Sequence, residues 1–533
     1  MDLKASLDSF RILSSAGLIR PISPRKLLRM RMVLRRWGVR QATGYALSAI
    51  NYPDEPALVD ELGQVTFAEV ESRTNAIARG LSQYGIVGGD TVAVLCRNHR
   101  YLPYSAVALG KLGTTIVWLN TSFAGPQLAD VCEREGVRAV IHDQEFGEVL
   151  REAGPGRKCF VAWEEGSADG QTLEGLIATH DSGPLEAPQQ SGRTIILTSG
   201  TTGRPQGAAR TNLNPSGLRP AISLFSRIPL HVRDRMVISA PLFHSHGFVH
   251  FWLGLLLSTT AVLQRRFDPE ATLAAIERER ARVLVAVPVM LQRILELPEA
   301  TRRTYDTSSL KVAVVSGSAL AGGLATRFMD EFGDVLYNLY GSTEVGAASI
   351  ATPRDLRAAP DTAGKAPLRT VLRIYDLNDR PVPPGTTGRI FVGSDSLFEG
   401  YTGGGGKPSI DGLAATGDLG HLDSEGRLFV EGRDDEMVVS GGENVYPNEV
   451  EELLARHAGV ADVAVIGVPD EQFGQRLKAF VVKRPGAELT EEDVKDYVRS
   501  NLARYKVPRS VDFLSELPRN ATGKVVKREL SRA

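Results

Sequence analysis

Residues 198–210 read TSGTTGRPQGAAR. Gly200, Gly203 and Gly207 free the backbone amides around them, and Thr198, Ser199, Thr201 and Thr202 add hydroxyls. Such a nest of donors cradles phosphate oxygens without bulky side chains. The GxxxxGKS or GxxxxGKT spacing of nucleotide hydrolases is not in this segment, so any phosphate handling is of another kind. Four later segments carry matching chemistry. NLYGSTE (338–344) offers, on one expected turn, an aromatic ring in Tyr340, the small Gly341, hydroxyls in Ser342 and Thr343, and the carboxylate of Glu344. AATGDLGHLDSEGRLFVEGRDDE (414–436) sets Asp418 after a glycine turn and Arg433 fifteen residues later. SGGENVYPNEVE (440–451) comes next, and LPRNATGKVVKREL (517–530) places Lys524 after a glycine. Each alone is an ordinary turn with a charged residue; together, in this order, they are very improbable by chance.

The elements that must position these groups alternate. Residues 65–85 have helical apolar spacing ending in glycine, and residues 90–96 form a compact apolar strand. AVALGKLGTTIVWLN, VRAVIHD, RMVISAPLF, VLVAVPVML and KVAVVSGSAL continue the pattern. Strand, helix, strand with short connections predicts a parallel sheet covered on both faces, with ligands beyond the carboxyl ends of the strands. The run FVHFWLGLLLSTTAVL (248–263) contains a histidine and is short for a membrane span, so a buried helix is expected. Near residue 433 the texture changes to a tail of small α+β type: a helix opened by Pro447, a strand in VADVAVIGV, and a helix capped at Thr490. GRDDEMVVSGGEN has the composition of a hinge.

A chain of 533 residues exceeds one ordinary core. A net charge of −1 gives no global field favouring nucleic acid or anionic lipid. Cys96, Cys132 and Cys159 have no CxxC spacing, which argues against a disulfide framework or zinc cluster and for a reducing, cytoplasmic setting. The opening residues contain no apolar signal core. They do contain a basic run, Arg20, Arg25, Lys26, Arg29, Arg31, Arg35, Arg36 and Arg40. A solvated helical extension packed on the main body is expected there, with a peripheral membrane or acidic-partner contact as the alternative. The expected division is an extension over 1–45, a large domain over 46–433 and a small domain over 434–533.

With these motifs in hand, the chain from about residue 50 onward resembles the adenylate-forming superfamily of acyl-CoA synthetases, stand-alone adenylation domains and luciferases. The resemblance implies an α/β fold, a large multi-layer N-terminal domain with a small mobile C-terminal α+β domain. It also implies two half-reactions: carboxylate and ATP give acyl-adenylate and pyrophosphate, then a thiol displaces AMP. By the same resemblance Tyr340 stacks on adenine, whose edge meets Gly317, Ser318 and Ala319. Asp418 accepts both ribose hydroxyls, with Arg433 alongside. Thr343 contacts the α-phosphate, Glu344 holds Mg²⁺, and Lys524 bridges the carboxylate and α-phosphate. Asp435 is the hinge. Gly441 and Gly442 line a pantetheine tunnel for coenzyme A, Phe473 lines its entrance, and His244 stands at the mouth of the acyl pocket with Glu443 as candidate partner. His246 reads as structural.

The family loop usually has lysine where this chain has Gln206. Glutamine can donate to the β- and γ-phosphates but cannot neutralise them. Losing a charged hydrogen bond costs about 1.5–3 kcal/mol, or roughly one to two decades in rate. The deficit falls on adenylation alone, because acyl-AMP lacks those phosphates. Three readings stay open: a complete acyl-CoA ligase helped by Arg204 or Arg210; a ligase that completes the thioester from acyl-AMP supplied by a partner adenylating enzyme; and a carrier-protein-loading enzyme or nucleotide-binding pseudoenzyme. Small residues at Gly317, Gly341, Gly346, Ala347 and Ala348 border the expected acyl site and suit a bulky or long-chain carboxylic acid.

Overall fold

A computed structural model describes residues 3–38, 41–152, 156–166, 170–190, 192–199, 205–211, 218–434, 438–440, 443–445, 447–470, 474–502, 506–520 and 523–531. The chain divides into two compact units. The first comprises Met1–Val314, Ser342–Gly346 and Asp395–Gly406, and the second Val315–Gly341, Ala347–Ser394 and Lys407–Ala533.

Two β-sheets organise the first unit. One runs in the order Gln171–Thr172, Lys158–Val161, Val137–His142, Thr91–Leu95, Thr115–Trp118, Arg193–Ser199, Pro205–Thr211. Its central strands are short apolar runs such as TVAVL and TIVW, buried along most of their length, as strands covered on both faces must be. The other includes Val283–Ala286, Arg235–Ile238, Thr260–Leu263 and Pro56–Asp60, with Gly63–Thr66 on its edge. The strands named here pair parallel, except that Pro205–Thr211 and Gly63–Thr66 pair antiparallel to their neighbours. The all-parallel expectation is corrected there: each edge strand is the return arm of a hairpin, which needs no crossover helix. The helix Phe67–Gln83 starts on a reciprocal cap, with Thr66 accepting from the Glu69 amide and Glu69 accepting from the Thr66 amide.

The apolar run at 248–263 is not one helix. The helix Ser245–Leu256 ends there, Ser258 takes a left-handed φ of 50°, and Thr260–Leu263 is a strand between two parallel neighbours. β-Branched Thr259, Thr260 and Val262 favour that switch.

The second unit carries an antiparallel sheet of Val371–Tyr375, Gly388–Gly393, Leu413–Leu422, Ser409–Ile410 and Leu428–Arg433. Its C-terminal part is a separate sheet, Glu443–Val445, Val438–Ser440, Gly474–Lys483, Val460–Asp470 and Ser510–Leu514, packed with helices Pro447–Ala455 and Glu491–Asn501. Val438, Val450, Leu454, Val465, Leu477, Val481 and Val494 form a core there. The segment with the composition of a hinge contributes the paired strands Val438–Ser440 and Glu443–Val445 to that sheet.

Candidate active site

Pairing between strands Leu413–Leu422 and Leu428–Arg433 sets the first cluster. Asp418 stands directly opposite Arg433 in the antiparallel register, so the fifteen-residue separation spans the two arms of one hairpin. Asp418 therefore lies within a strand rather than at the end of a turn. Tyr340 comes from the strand Leu336–Ser342, and its hydroxyl donates to Asp418 Oδ2. Arg433 Nη1 reaches Asp418 Oδ1 at 3.5 Å. Thr416 ties down the Asp418 backbone: its Oγ1 accepts from the Asp418 amide at 3.1 Å and donates to Ile390 O at 3.1 Å. Burial pushes the Asp418 carboxyl above its ordinary range, against the Tyr340 bond and the charges of Arg433, Lys524 and Lys407. Burial and the neighbouring carboxylate push the Tyr340 phenol well up. Lys524, exposed, ends a turn in which its amide donates to Asn520 Oδ1 at 2.9 Å and its carbonyl accepts from Asn520 N at 2.9 Å. Gly317, Ser318 and Ala319 bend the chain just past the buried strand Val312–Val315, with Gly317 at a φ of 95°.

Tyr340, Gly341 and Ser342 are strand residues, not parts of one turn; the turn covers only 343–345. That turn holds the second cluster. Thr343 Oγ1 donates to Ser245 Oγ at 3.2 Å, which ties it to the first residue of the helix Ser245–Leu256. Glu344 is buried, and its Oε1 accepts from the Tyr401 hydroxyl at 3.0 Å. Its carbonyl accepts from the Phe398 amide at 2.8 Å. Gly346 has a φ of 71°, and a Cβ there would lie 2.4 Å from Ser396 Cβ, so glycine is required by this close approach.

The same 396–402 segment is laced to the phosphate-loop strand. Tyr401 bridges Ala208, and the Thr402 amide donates to Gly207 O at 2.8 Å. Thr402 Oγ1 donates to Glu135 Oε1 at 2.8 Å. A Cβ on Gly207 would meet the side chains of Thr402, Ile195 and Glu135 at 2.6, 2.8 and 2.9 Å, so a larger residue there would displace them. Gln206, half-buried, pairs across the hairpin with Thr198, and Pro205 with Ser199. Gly200, Thr201, Thr202 and Gly203 lie outside the described residues, as do Asp435, Gly441, Gly442 and Phe473. Tyr401, Thr402, Thr416 and Lys407 were missed by motif reading. Tyr401 stands after a glycine in a segment of weak local pattern, and its role depends on contacts far apart in sequence.

His244 occupies the N-cap position of the helix Ser245–Leu256 without a side-chain capping bond, its ring 4.6 Å from that of Phe243. Burial lowers its pKa to about 4, so the imidazole is neutral near pH 7. Its buried Nε2 has no hydrogen-bond partner among the described residues. His246 differs: its Nε2 bonds Ala286 O at 3.0 Å, and burial holds its pKa at about 3.

Within the second unit the Asp418 carboxylate suits a ribose diol, and within the first the oxygen donors of Thr343 and Glu344 suit a hard cation or a phosphate. The AMP-binding enzyme pattern matches residues 46–402, and the AMP-binding enzyme C-terminal domain matches residues 449–524. The chain is similar to a feruloyl-CoA synthase of Amycolatopsis, 33% identical over 478 residues covering 88% of this chain and 94% of that protein. It is similar to an indoleacetate–CoA ligase of Aromatoleum aromaticum, 33% identical over 499 residues covering 90% and 94%. Its fold superposes on the crystal structure of an anthranilate CoA ligase in complex with anthranoyl-AMP, with a TM-score of 0.82, 25% identity and coverage of 92% and 96%. The chain belongs to the AMP-binding enzyme family and is an acid–thiol ligase of the AMP-forming acyl-CoA synthetase type.

Proposed function

We propose that this ligase converts a bulky or long-chain hydrophobic carboxylic acid to its coenzyme A thioester through acyl-AMP, and that adenylation is the weaker half. The observation that carries the reading is Gln206, a neutral side chain in the strand Pro205–Thr211 of the loop hairpin, at the position where the loop of the resembled family usually has lysine. In adenylation the substrate carboxylate attacks the α-phosphorus and pyrophosphate leaves. In the second half the coenzyme A sulfur attacks the acyl carbonyl and AMP leaves. Tyr340, Asp418 and Arg433 hold the nucleoside in both, and Lys524 offsets charge at the reacting carboxylate and phosphate. His244, neutral and with a free Nε2 among the described residues, stands ready to donate to or accept from the acyl or thiol group. The acids that the relatives act on or hold, ferulate, indoleacetate and anthranilate, are bulky and in keeping with the small residues at 346–348.

The donor set at 342–344 fits a hard cation: the Glu344 carboxylate with the hydroxyls of Ser342 and Thr343, all oxygen. Glu344 would hold Mg²⁺, which when bound neutralises phosphate charge. Tyr401 fixes the carboxylate that would hold it. Asp435, Gly441, Gly442 and Phe473 take the hinge and coenzyme A roles in this proposal.

The test is Gln206→Lys. Acid-dependent pyrophosphate release should rise at least about tenfold, because the new ammonium acts where charge develops on the leaving group. Thioester formation from supplied acyl-AMP should barely change. Brisk adenylation by the native chain, with no gain from lysine, would sink the weak-adenylation reading while leaving the ligase assignment intact.

A further inference from the structure

The near-zero net charge conceals a division. The first 45 residues contain ten Lys and Arg against two Asp, whereas the rest contains fifty-two against sixty-one Asp and Glu. Eight of these ten basic residues sit on two helices, Leu3–Ser15 and Pro24–Trp37, that are tied to the body only in part. Trp37 is buried, Lys26 Nζ donates to Asn51 O at 2.9 Å, and the Val232 amide donates to Ala16 O at 2.9 Å. The Trp37 and Lys26 contacts fix one side of the second helix, where Met30 and Val33 are half-buried.

The other side carries what a solvated helix should not. Leu27, Leu28, Met32 and Leu34 are 56, 60, 54 and 40% exposed, and Leu7 and Phe10 of the first helix are 52 and 57% exposed. With Ile19 between the helices, these are seven of the twelve exposed large hydrophobics among the described residues. At 100° per residue, Leu27 and Leu34 lie on one flank of Arg31 and Arg35, and Leu28 and Met32 on the other. Among the described residues, Arg25, Arg29, Arg31, Arg35 and Arg36 pair with no carboxylate.

Exposed leucines interleaved with unpaired arginines match a bilayer surface. The apolar side chains enter the acyl boundary while the arginine stems run beside them and the guanidinium groups reach phosphate oxygens. A second copy of this face would meet it with like charge, which opposes self-association. A folded acidic partner needs a complementary groove, whereas lipid conforms to an uneven mix of Leu and Arg. None of the described helices is long and apolar enough to cross a membrane.

We propose that helices Leu3–Ser15 and Pro24–Trp37 form a docking surface for anionic lipid bilayers, which holds the enzyme in the interface plane. The proposal is independent of which acid is activated and of Gln206.

Vesicle flotation with the full chain tests it. Vesicles with about 30% phosphatidylglycerol should capture at least about tenfold more protein than pure phosphatidylcholine, and raising salt from about 0.1 to about 0.5 M should reverse most of the gain. The triple variant Leu27→Ser, Leu28→Ser, Met32→Ser and the triple variant Arg29→Glu, Arg31→Glu, Arg35→Glu should each lose roughly tenfold in binding, with thermal midpoint and turnover of a water-soluble acid unchanged. Should a variant unfold, hydrogen exchange on the native chain decides: anionic vesicles should slow exchange in 24–37. No preference for anionic vesicles, full binding by both variants, or no protection of 24–37 would overturn the proposal. So would a dimer dissolved by either variant with no vesicle binding.

Discussion

Asp418 takes Tyr340 on one oxygen and Arg433 on the other, so a ribose diol must compete with, or add to, bonds already made. Asp418→Ala removes the acceptor and leaves buried donors unpaired, and affinity for a non-hydrolysable acyl-AMP mimic should fall by tenfold or more. Unchanged affinity in calorimetry would take Asp418 out of the site. Its environment also sets a pH dependence. Burial raises the carboxyl, and only the ionised form accepts two hydroxyls, so binding is full above the raised pKa and is lost as pH falls through it, earlier than for an ordinary aspartate. Tyr401 acts one step removed. Tyr401→Phe frees the Glu344 carboxylate, and the magnesium concentration for half-maximal adenylation should rise several-fold while thioester formation from acyl-AMP is kept. Equal losses in both halves would mean that Tyr401 merely supports the fold.

Local signals in the sequence are enough to find the elements that begin abruptly. Thr490 and Pro447 each mark a helix start that the structure contains. Motif spacing singles out Asp418 and Arg433 as candidates, although not the cross-strand register that sets them face to face. The misread segments share a cause. The strand character of 340–342 and the lacing of 396–402 to Gly207 and Ala208 arise from pairing between distant segments, which no local propensity encodes. Long-range packing also tunes a titrating group on one helix. Glu452, on Pro447–Ala455, is pushed up to about 7 by burial first and then by the Asp361 carboxylate, while Asn448 Nδ2 donates to it at 2.9 Å. A carboxyl raised above its unfolded value contributes stability fully present below about pH 4.5 and lost as pH rises through about 7. Glu452→Gln should therefore raise the melting temperature at pH 8 by roughly 2 °C or more and leave it nearly unchanged at pH 5. An equal shift at both pH values would show that Glu452 is not the titrating group.

At the scale of the whole molecule, the chain passes between two compact units several times, with residues 342–346 and 395–406 assigned to the first and their flanks to the second. The proposed hinge tests whether the C-terminal part must turn between half-reactions. Asp435→Pro fixes φ near −65°, and should slow thioester formation by about tenfold while acyl-AMP affinity is kept. Equal losses would count against a rotating domain. The lopsided distribution of charge and exposed leucine in the first 45 residues has a kinetic consequence. An enzyme resting on a bilayer meets a hydrophobic acid that has already partitioned there, and its encounter rate tracks crowding in two dimensions rather than concentration in water. With total acid fixed, adding inert anionic lipid beyond saturation of the enzyme should slow turnover, because the same acid is spread over a larger area. The activity of this ligase would then report the mole fraction of its substrate in the membrane.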